Sequence, residues 1–195
     1  MVLSAGSFCM MTVFVKLAGS SLPTIQIVFV RGLFTLIVTG FFLLKAKINP
    51  LGKNKRLLTA RGLSGTIALF LVYESIQRFP LSEATVIQYL YPSFTAMIAA
   101  ALISETVDRN ILIGLFAGFF GVYAILGFPS LSNNYLDIES LAIAVCGSLL
   151  TGLAYVLVRK ATSLNEHPLV VMFYFPFFTV PICLPFLLSV WEHPS

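Results

Sequence analysis

Long apolar runs broken by short polar connections set the rhythm of this chain. Seven runs stand out, over residues 2–18, 25–44, 62–77, 84–103, 111–128, 140–158 and 168–190. Most approach the ~20 residues that a helix rising 1.5 Å per residue needs to cross about 30 Å of hydrocarbon. Backbone polar groups in lipid must be satisfied within the segment, so each run predicts a membrane helix. Boundary residues agree. Ser82 and Asp108 stand where they can cap the fourth and fifth helices, and Pro23 and Pro168 fall at helix starts, where a missing N–H costs little. The fourth run carries Pro92 in its middle, which predicts a bend.

Composition narrows the class. The chain is 58% hydrophobic and 10% charged, with mean hydropathy +0.94. A soluble domain carries about 25% charged residues. This is the composition of an all-α polytopic membrane protein embedded in a lipid bilayer. The first run lacks a basic leader and an A-x-A cleavage site, so it reads as a retained helix. The formal charge of +4 is local, since half of the 12 Lys and Arg lie between Lys45 and Arg61. It concerns topology and implies no nucleic-acid partner. Cys9, Cys146 and Cys183 fall inside apolar runs, with no metal or disulfide spacing.

The basic residues set an orientation. With the amino terminus in the cytoplasm, the inner connections hold Lys45, Lys47, Lys53, Lys55, Arg56, Arg61, Arg109, Arg159 and Lys160. The outer half keeps Lys16, Arg31 and Arg78, and the 129–139 connection, with Asp137 and Glu139, lies outside. The expected location is the cytoplasmic membrane.

Five runs precede that outer connection, and the sixth resembles the first. Phe14-Val15-Lys16-Leu17-Ala18 ends run one and Leu157-Val158-Arg159-Lys160-Ala161 ends run six, and in both cases a proline follows within a few residues. An odd number of helices per repeat inverts the second copy, a usual build of secondary transporters. The expected organisation is a five-helix repeat over 1–128, a linker over 129–139, and two helices of a second repeat over 140–195.

The fourth run, P-L-S-E-A-T-V-I-Q-Y-L-Y-P from Pro80 to Pro92 with Ser104-Glu105 at its end, resembles the EamA-type family of the drug/metabolite transporter superfamily. So do Ile113-Gly114 through Gly118 to Gly121-Val122-Tyr123, and Arg31 after an aromatic residue near the start of run two. The resemblance implies ten helices in two inverted five-helix halves, cytoplasmic termini, and export or exchange of small metabolites. Helices eight to ten of that pattern are absent here. Further helices or a second copy of the chain would then complete the bundle.

Polar groups inside the runs mark candidate solute contacts. A charged residue at a helix centre costs about 2.5–3.5 kcal/mol on insertion scales, so such residues face protein or water. Lys16, Arg31 and Glu74 lie in the outer half, and Arg78 follows Glu74 at i+4. They suit a carboxylate or phosphate, or else pair internally to fix packing. Stripes at helical spacing run through Ser4, Thr12 and Lys16, through Arg31, Thr35 and Thr39, through Thr85, Tyr89 and Ser93 beside Gln88, and through Ser148, Gly152, Tyr155 and Arg159. Lone Ser and Thr residues also bond back to their own helix. Lys16, Arg31, Glu74, Gln88, Tyr89 and Tyr155 are therefore the candidate solute-binding residues. Pro92, Pro176 and Pro181 are candidate hinges, and Gly114, Gly118 and Gly121 form a candidate helix-packing face. No cofactor or metal is expected, and no hydrolase, metalloprotease or phosphate-loop motif occurs. The expected function is alternating-access transport of a small polar metabolite, the alternative being a non-transporting assembly protein or an inactive fragment of a transporter.

Overall fold

A computed structural model describes residues 2–103, 109–125 and 138–190. The helices are α1 (Val2–Ala18), α2 (Thr24–Lys45), α3 (Lys55–Arg78), α4 (Leu81–Gln88), α5 (Tyr91–Ile103), α6 (Arg109–Ile125), α7 (Ile138–Ser163) and α8 (Pro168–Val190). No strand occurs among the described residues. Five segments are long and apolar enough to cross a membrane: α2, α3, residues 83–102 of α4 and α5, α7, and residues 168–187 of α8. At 17 residues each, α1 and α6 sit at the short end of the spanning range. The protein is a multi-pass, all-α integral membrane protein.

Three boundaries differ from the sequence reading, one being the end of α7, at Ser163 rather than 158, which takes Arg159 and Lys160 into the helix. The third helix begins seven residues before position 62, at Lys55, so Arg61 is not in a connection but more than a turn inside α3. Its Lys55-Arg56 start is too polar to register in a hydropathy pattern, yet it is helical because residues 57 and 58 already pack against the bundle. Helix α4 begins at Leu81 after Pro80, so Ser82 lies in its first turn rather than at the cap. The proposed Asp108 cap, Ser104-Glu105, Asp137 and most of the 129–139 linker lie outside the described residues.

The expected bend in the fourth run is a break. Residue 92, being proline, has no N–H for the Gln88 carbonyl. The helix tightens as Tyr89 N–H donates to Thr85 O (3.0 Å) and Leu90 N–H to Ile87 O (3.1 Å), and α5 resumes with Phe94 N–H donating to Leu90 O (3.2 Å). Tyr89 and Leu90 thus form a non-helical joint in mid-run. By contrast, Pro176, Pro181 and Pro185 sit inside an uninterrupted α8.

Helix α3 is the centre of the bundle. It packs on α7 and α8; α2 packs along α8, and α5 along α7. Two apolar clusters hold these contacts. One joins Val15, Val28, Val72, Tyr73, Ile76, Phe79, Ile87 and Cys183; the other joins Leu43, Leu58, Ala161, Val170, Val171 and Tyr174 near the basic ends of the helices. With no hydrophobic drive between helices in lipid, small residues set the closest approaches. A Cβ on Gly152 would lie 2.9 Å from the Thr95 backbone nitrogen, which fixes α7 against α5. Between α3 and α8, the buried hydroxyls of Thr66 and Thr179 meet at 2.8 Å.

The connection before α3 is tied to the α7–α8 connection. Glu166, 5% exposed, accepts the backbone N–H of Lys53 (2.9 Å) and of Asn54 (2.5 Å) at the start of α3. A carboxylate at this position satisfies orphan donors and complements the helix dipole. Gly52 beside it has φ +60°, and a Cβ there would lie 2.5 Å from Leu58 and 3.0 Å from Glu166 Oε2. Only glycine fits this turn.

Candidate functional site

The six candidate solute-binding residues fall into three groups. Lys16 and Glu74 belong to networks at the end of α3. The Lys16 ammonium donates to the carbonyls of Ile76 (2.6 Å), Gln77 (3.0 Å) and Phe79 (2.9 Å). These are the orphan acceptors of the α3 carboxyl terminus, where a cation also meets the negative end of the helix dipole. Gln77 Nε2 returns a bond to Val15 O (2.9 Å), so α1 and α3 are laced together. Glu74 accepts Arg78 Nε (3.0 Å) and Thr24 Oγ1 (2.9 Å), and Arg78 reaches Glu139 (3.3 Å) and the Ser140 hydroxyl (3.4 Å). This network joins α3 to the starts of α2 and α7.

Arg31 stands apart from it. Its Nη1 donates to the Tyr73 phenol oxygen, and its guanidinium carbon lies 5.4 Å from the Tyr73 ring centroid. Tyr73 is 1% exposed and so anchors the arginine from the core. Among the described residues, Arg31 makes no ion pair. A guanidinium held by a neutral phenol keeps donors for an incoming anion.

Gln88, Tyr89 and Tyr155 form the third group, at or facing the broken run. Gln88 is half-buried and, among the described residues, has no hydrogen-bond partner. Tyr89 lies in the joint itself and is 64% exposed. Tyr155 on α7 stacks on Tyr91 at the start of α5, with ring centroids 5.2 Å apart and planes 21° apart. The joint, the freed Gln88 carbonyl and the tyrosine pair place polar groups where a membrane helix loses its own hydrogen bonds. Such broken segments are tolerated where they line a cavity or protein.

The polar stripes resolve into local bonds. Thr35, Thr39 and Thr85 donate to carbonyls four residues back on their own helices, as does Thr151, outside the stripes, on α7. Ser148, fully buried, also donates to Ile87 O (2.9 Å) on α4 and ties α7 to the helix before the joint. Of the glycine face, a Cβ on Gly114 or Gly121 would meet open space, and one on Gly118 would lie 4.0 Å from the Leu90 and Ser93 side chains.

Two residues gain roles that sequence reasoning did not assign, and Tyr91, a polar end expected with Gln88 and Tyr89 to need a partner at depth, gains one. Glu166 caps α3, Tyr73 holds Arg31, and Tyr91 pairs with Tyr155. For Tyr73 the only signal was a phenol in a run with Glu74 and Arg78; for Glu166 there was none beyond a carboxylate among basic residues.

The profile of the EamA-like transporter family matches residues 1–127. The pseudopaline exporter of Pseudomonas aeruginosa strain UCBPP-PA14 is 24% identical over 195 residues, all of this chain and 67% of the exporter. An uncharacterized transporter of Helicobacter pylori J99 is 24% identical over 169 residues, 85% of this chain and 55% of that protein. The S-adenosylmethionine uptake transporter of Rickettsia prowazekii is 23% identical over 181 residues, 92% of this chain and 60% of that protein. No solved structure matches.

Proposed function

The chain belongs to the EamA-like transporter family, and from that premise we propose that it forms the first part of a secondary transporter that moves a small polar metabolite by alternating access. The observation that carries this reading is the joint at Tyr89-Leu90, where an otherwise apolar spanning run breaks beside Gln88, Tyr91 and Tyr155. Gln88, Tyr89 and Tyr155 contact the solute, and Arg31 attracts an anionic group from the opposite side of the bundle. Lys16 and Glu74 hold the walls, through the α3 carboxyl end and the Thr24–Arg78 network. Pro92 sets the joint, while Pro176 and Pro181 curve α8 along α2. The relatives named as an exporter and as an uptake transporter move solutes in opposite directions, so the reading is of the family's mechanism rather than of one direction.

The helix contacts support an inverted repeat. If α7 and α8 are the counterparts of α1 and α2, the α2–α8 pair lies on the pseudo-two-fold axis. Helix α7 then packs on α3 and α5 as α1 would pack on their counterparts, which are not among residues 1–195. Met10, Phe14 and Leu17 of α1 are each more than 60% exposed, as a face awaiting those counterparts would be. Further helices, or a second copy of the chain, supply the missing wall, and Gly114 and Gly121 offer another close-packing face to it. The basic ends face the cytoplasm of a cell membrane.

Site-directed labelling tests the mechanism. A Tyr89→Cys variant of the protein expressed from the complete gene, reconstituted in liposomes, should react with impermeant thiol reagents from one side, and solute should change that rate. A Tyr89→Cys rate unaffected by any solute that the protein moves would contradict alternating access at this joint.

A further inference from the structure

Arg61, half-buried, is a cation that the transporter reading does not use. It lies six residues inside α3, about 9 Å from the helix start at 1.5 Å per residue. An arginine at that depth ordinarily snorkels toward the headgroups and keeps its polar head wet. Here Nε and Nη1 are buried and, among the described residues, have no hydrogen-bond partner. The guanidinium carbon sits 5.6 Å from the centroid of the Phe175 ring on α8. Gly65, one turn on, leaves the space that the head occupies, since a Cβ there would lie 2.1 Å from Nη1. The Tyr155 phenol on α7 is near enough to act on Arg61 electrostatically. Helices α3 and α8 thus shape a seat for the head group, and among the described residues nothing accepts from Nε or Nη1.

A seated, unpaired guanidinium in a low-dielectric site is costly unless an anion joins it. Its planar fork matches the two oxygens of a carboxylate or phosphate. About 9 Å away, at the start of α3 and the end of α7, Lys53, Lys55, Arg56 and Lys160 line a shallow groove. Like charges converging on an opening raise the local concentration of the opposite ion. From these observations we infer that Arg61 is an oxyanion-binding residue, reached through the basic groove, and that the transported solute carries a carboxylate or phosphate. The anion bonds to Nε and Nη1, and the remainder of the solute lies against the Tyr155–Tyr91 pair, of which Tyr155 is exposed. This deepens the transporter reading and rests on it for the identity of the anion as a solute. It also gives the joint and Arg61 complementary tasks, since Tyr91 stands beside the break and stacks on Tyr155.

The test uses protein from the complete gene, purified in detergent, and sodium acetate, L-glutamate and phosphate against sodium chloride at matched ionic strength. At least one oxyanion should raise the melting temperature saturably; the carboxylate and phosphate arms tell which. Arg61→Met removes the charge and keeps an apolar side chain of similar length. It should melt no lower than the parent without anion, and its affinity for the stabilising anion should fall about 10- to 100-fold, as loss of a charge-assisted bond implies. Gly65→Ala displaces the guanidinium without removing it, and should also weaken the response. No saturable response in the parent overturns the inference, as does an unchanged response in Arg61→Met. If Arg61→Met does not fold, the Gly65→Ala titration decides in the same way. Flux assays in liposomes separate the two readings. Movement of neutral or cationic solutes without oxyanion binding removes the role of Arg61 and leaves a transporter. Oxyanion binding lost in Arg61→Met, with no solute moved, removes the transporter and leaves the site.

Discussion

Replacing Lys16 by methionine separates a wall residue from a solute ligand. Met keeps the unbranched apolar stem and removes the ammonium. The three carbonyls of Ile76, Gln77 and Phe79 then lose their common donor. Hydrogen bonds to a charged group contribute about 1.5–3 kcal/mol each, so the gross loss is about 5–9 kcal/mol. Against this stands the cost of holding a lysine within the bundle, about 2.5–3.5 kcal/mol on insertion scales. The net destabilisation is therefore about 1.5–6.5 kcal/mol, a roughly 10- to 60,000-fold shift in the folding equilibrium. Lys16→Arg retains the charge and multiple donors, and should recover about half of the loss. Titration with SDS, followed by helicity or by pulse proteolysis, measures the shift. The surviving folded Lys16→Met protein should bind solute with unchanged affinity. A variant as stable as the parent, with weakened solute binding, would refute the assignment and make Lys16 a ligand.

Other substitutions probe the remaining contacts. Glu166→Ala leaves the Lys53 and Asn54 N–H groups unpaired at the start of α3, and should cost about 2–4 kcal/mol in the same titration, with Glu166→Gln recovering part through its amide oxygen. Gly152→Val places a branched side chain where a Cβ already lies 2.9 Å from the Thr95 nitrogen, and should weaken cross-linking between cysteines placed on α5 and α7. It should also destabilise by about 1–3 kcal/mol, as overpacking does. Tyr73→Phe frees Arg31 from its phenol while keeping the ring, so stability should fall by about 1 kcal/mol. In flux assays Tyr73→Phe should change KM for an anionic solute more than kcat.

Much of the architecture was legible because a bilayer leaves few choices. A run of the right length must be a helix, so α2, α7 and α8 follow from hydropathy alone. Proline chemistry located the interruption of the fourth run to within three residues, since Pro92 cannot donate to Gln88 and the chain opens at Tyr89. The start of α3 was missed for a physical reason. Its first turns are basic, and helicity there comes from Leu58 packing and the Glu166 cap, neither of which leaves a periodic signal. The pairing of charges was equally hidden. Lys16 and Arg61 look alike in sequence, as cations near run ends. One meets three carbonyls, while Nε and Nη1 of the other have no acceptor among the described residues, because long-range packing decides which backbone groups come near. Glycines show the same limit. Spacing drew attention to Gly114, Gly118 and Gly121, whereas the tightest backbone approaches between helices among the described residues are at Gly62, where a Cβ would lie 2.8 Å from the Tyr174 carbonyl on α8, and at Gly152, where one would lie 2.9 Å from the Thr95 nitrogen on α5.

The account turns on the broken run as part of a solute path. The most direct measurement is counterflow in liposomes, with protein expressed from the complete gene and solutes of each charge class, comparing the parent with Gln88→Leu. Gln88 has no hydrogen-bond partner among the described residues, so its replacement by an apolar residue of similar size should leave the fold intact. The account predicts saturable flux of at least one solute by the parent, reduced about tenfold or more in Gln88→Leu at unchanged melting temperature. No flux of any solute by the parent, or equal flux by a folded Gln88→Leu protein, would contradict it.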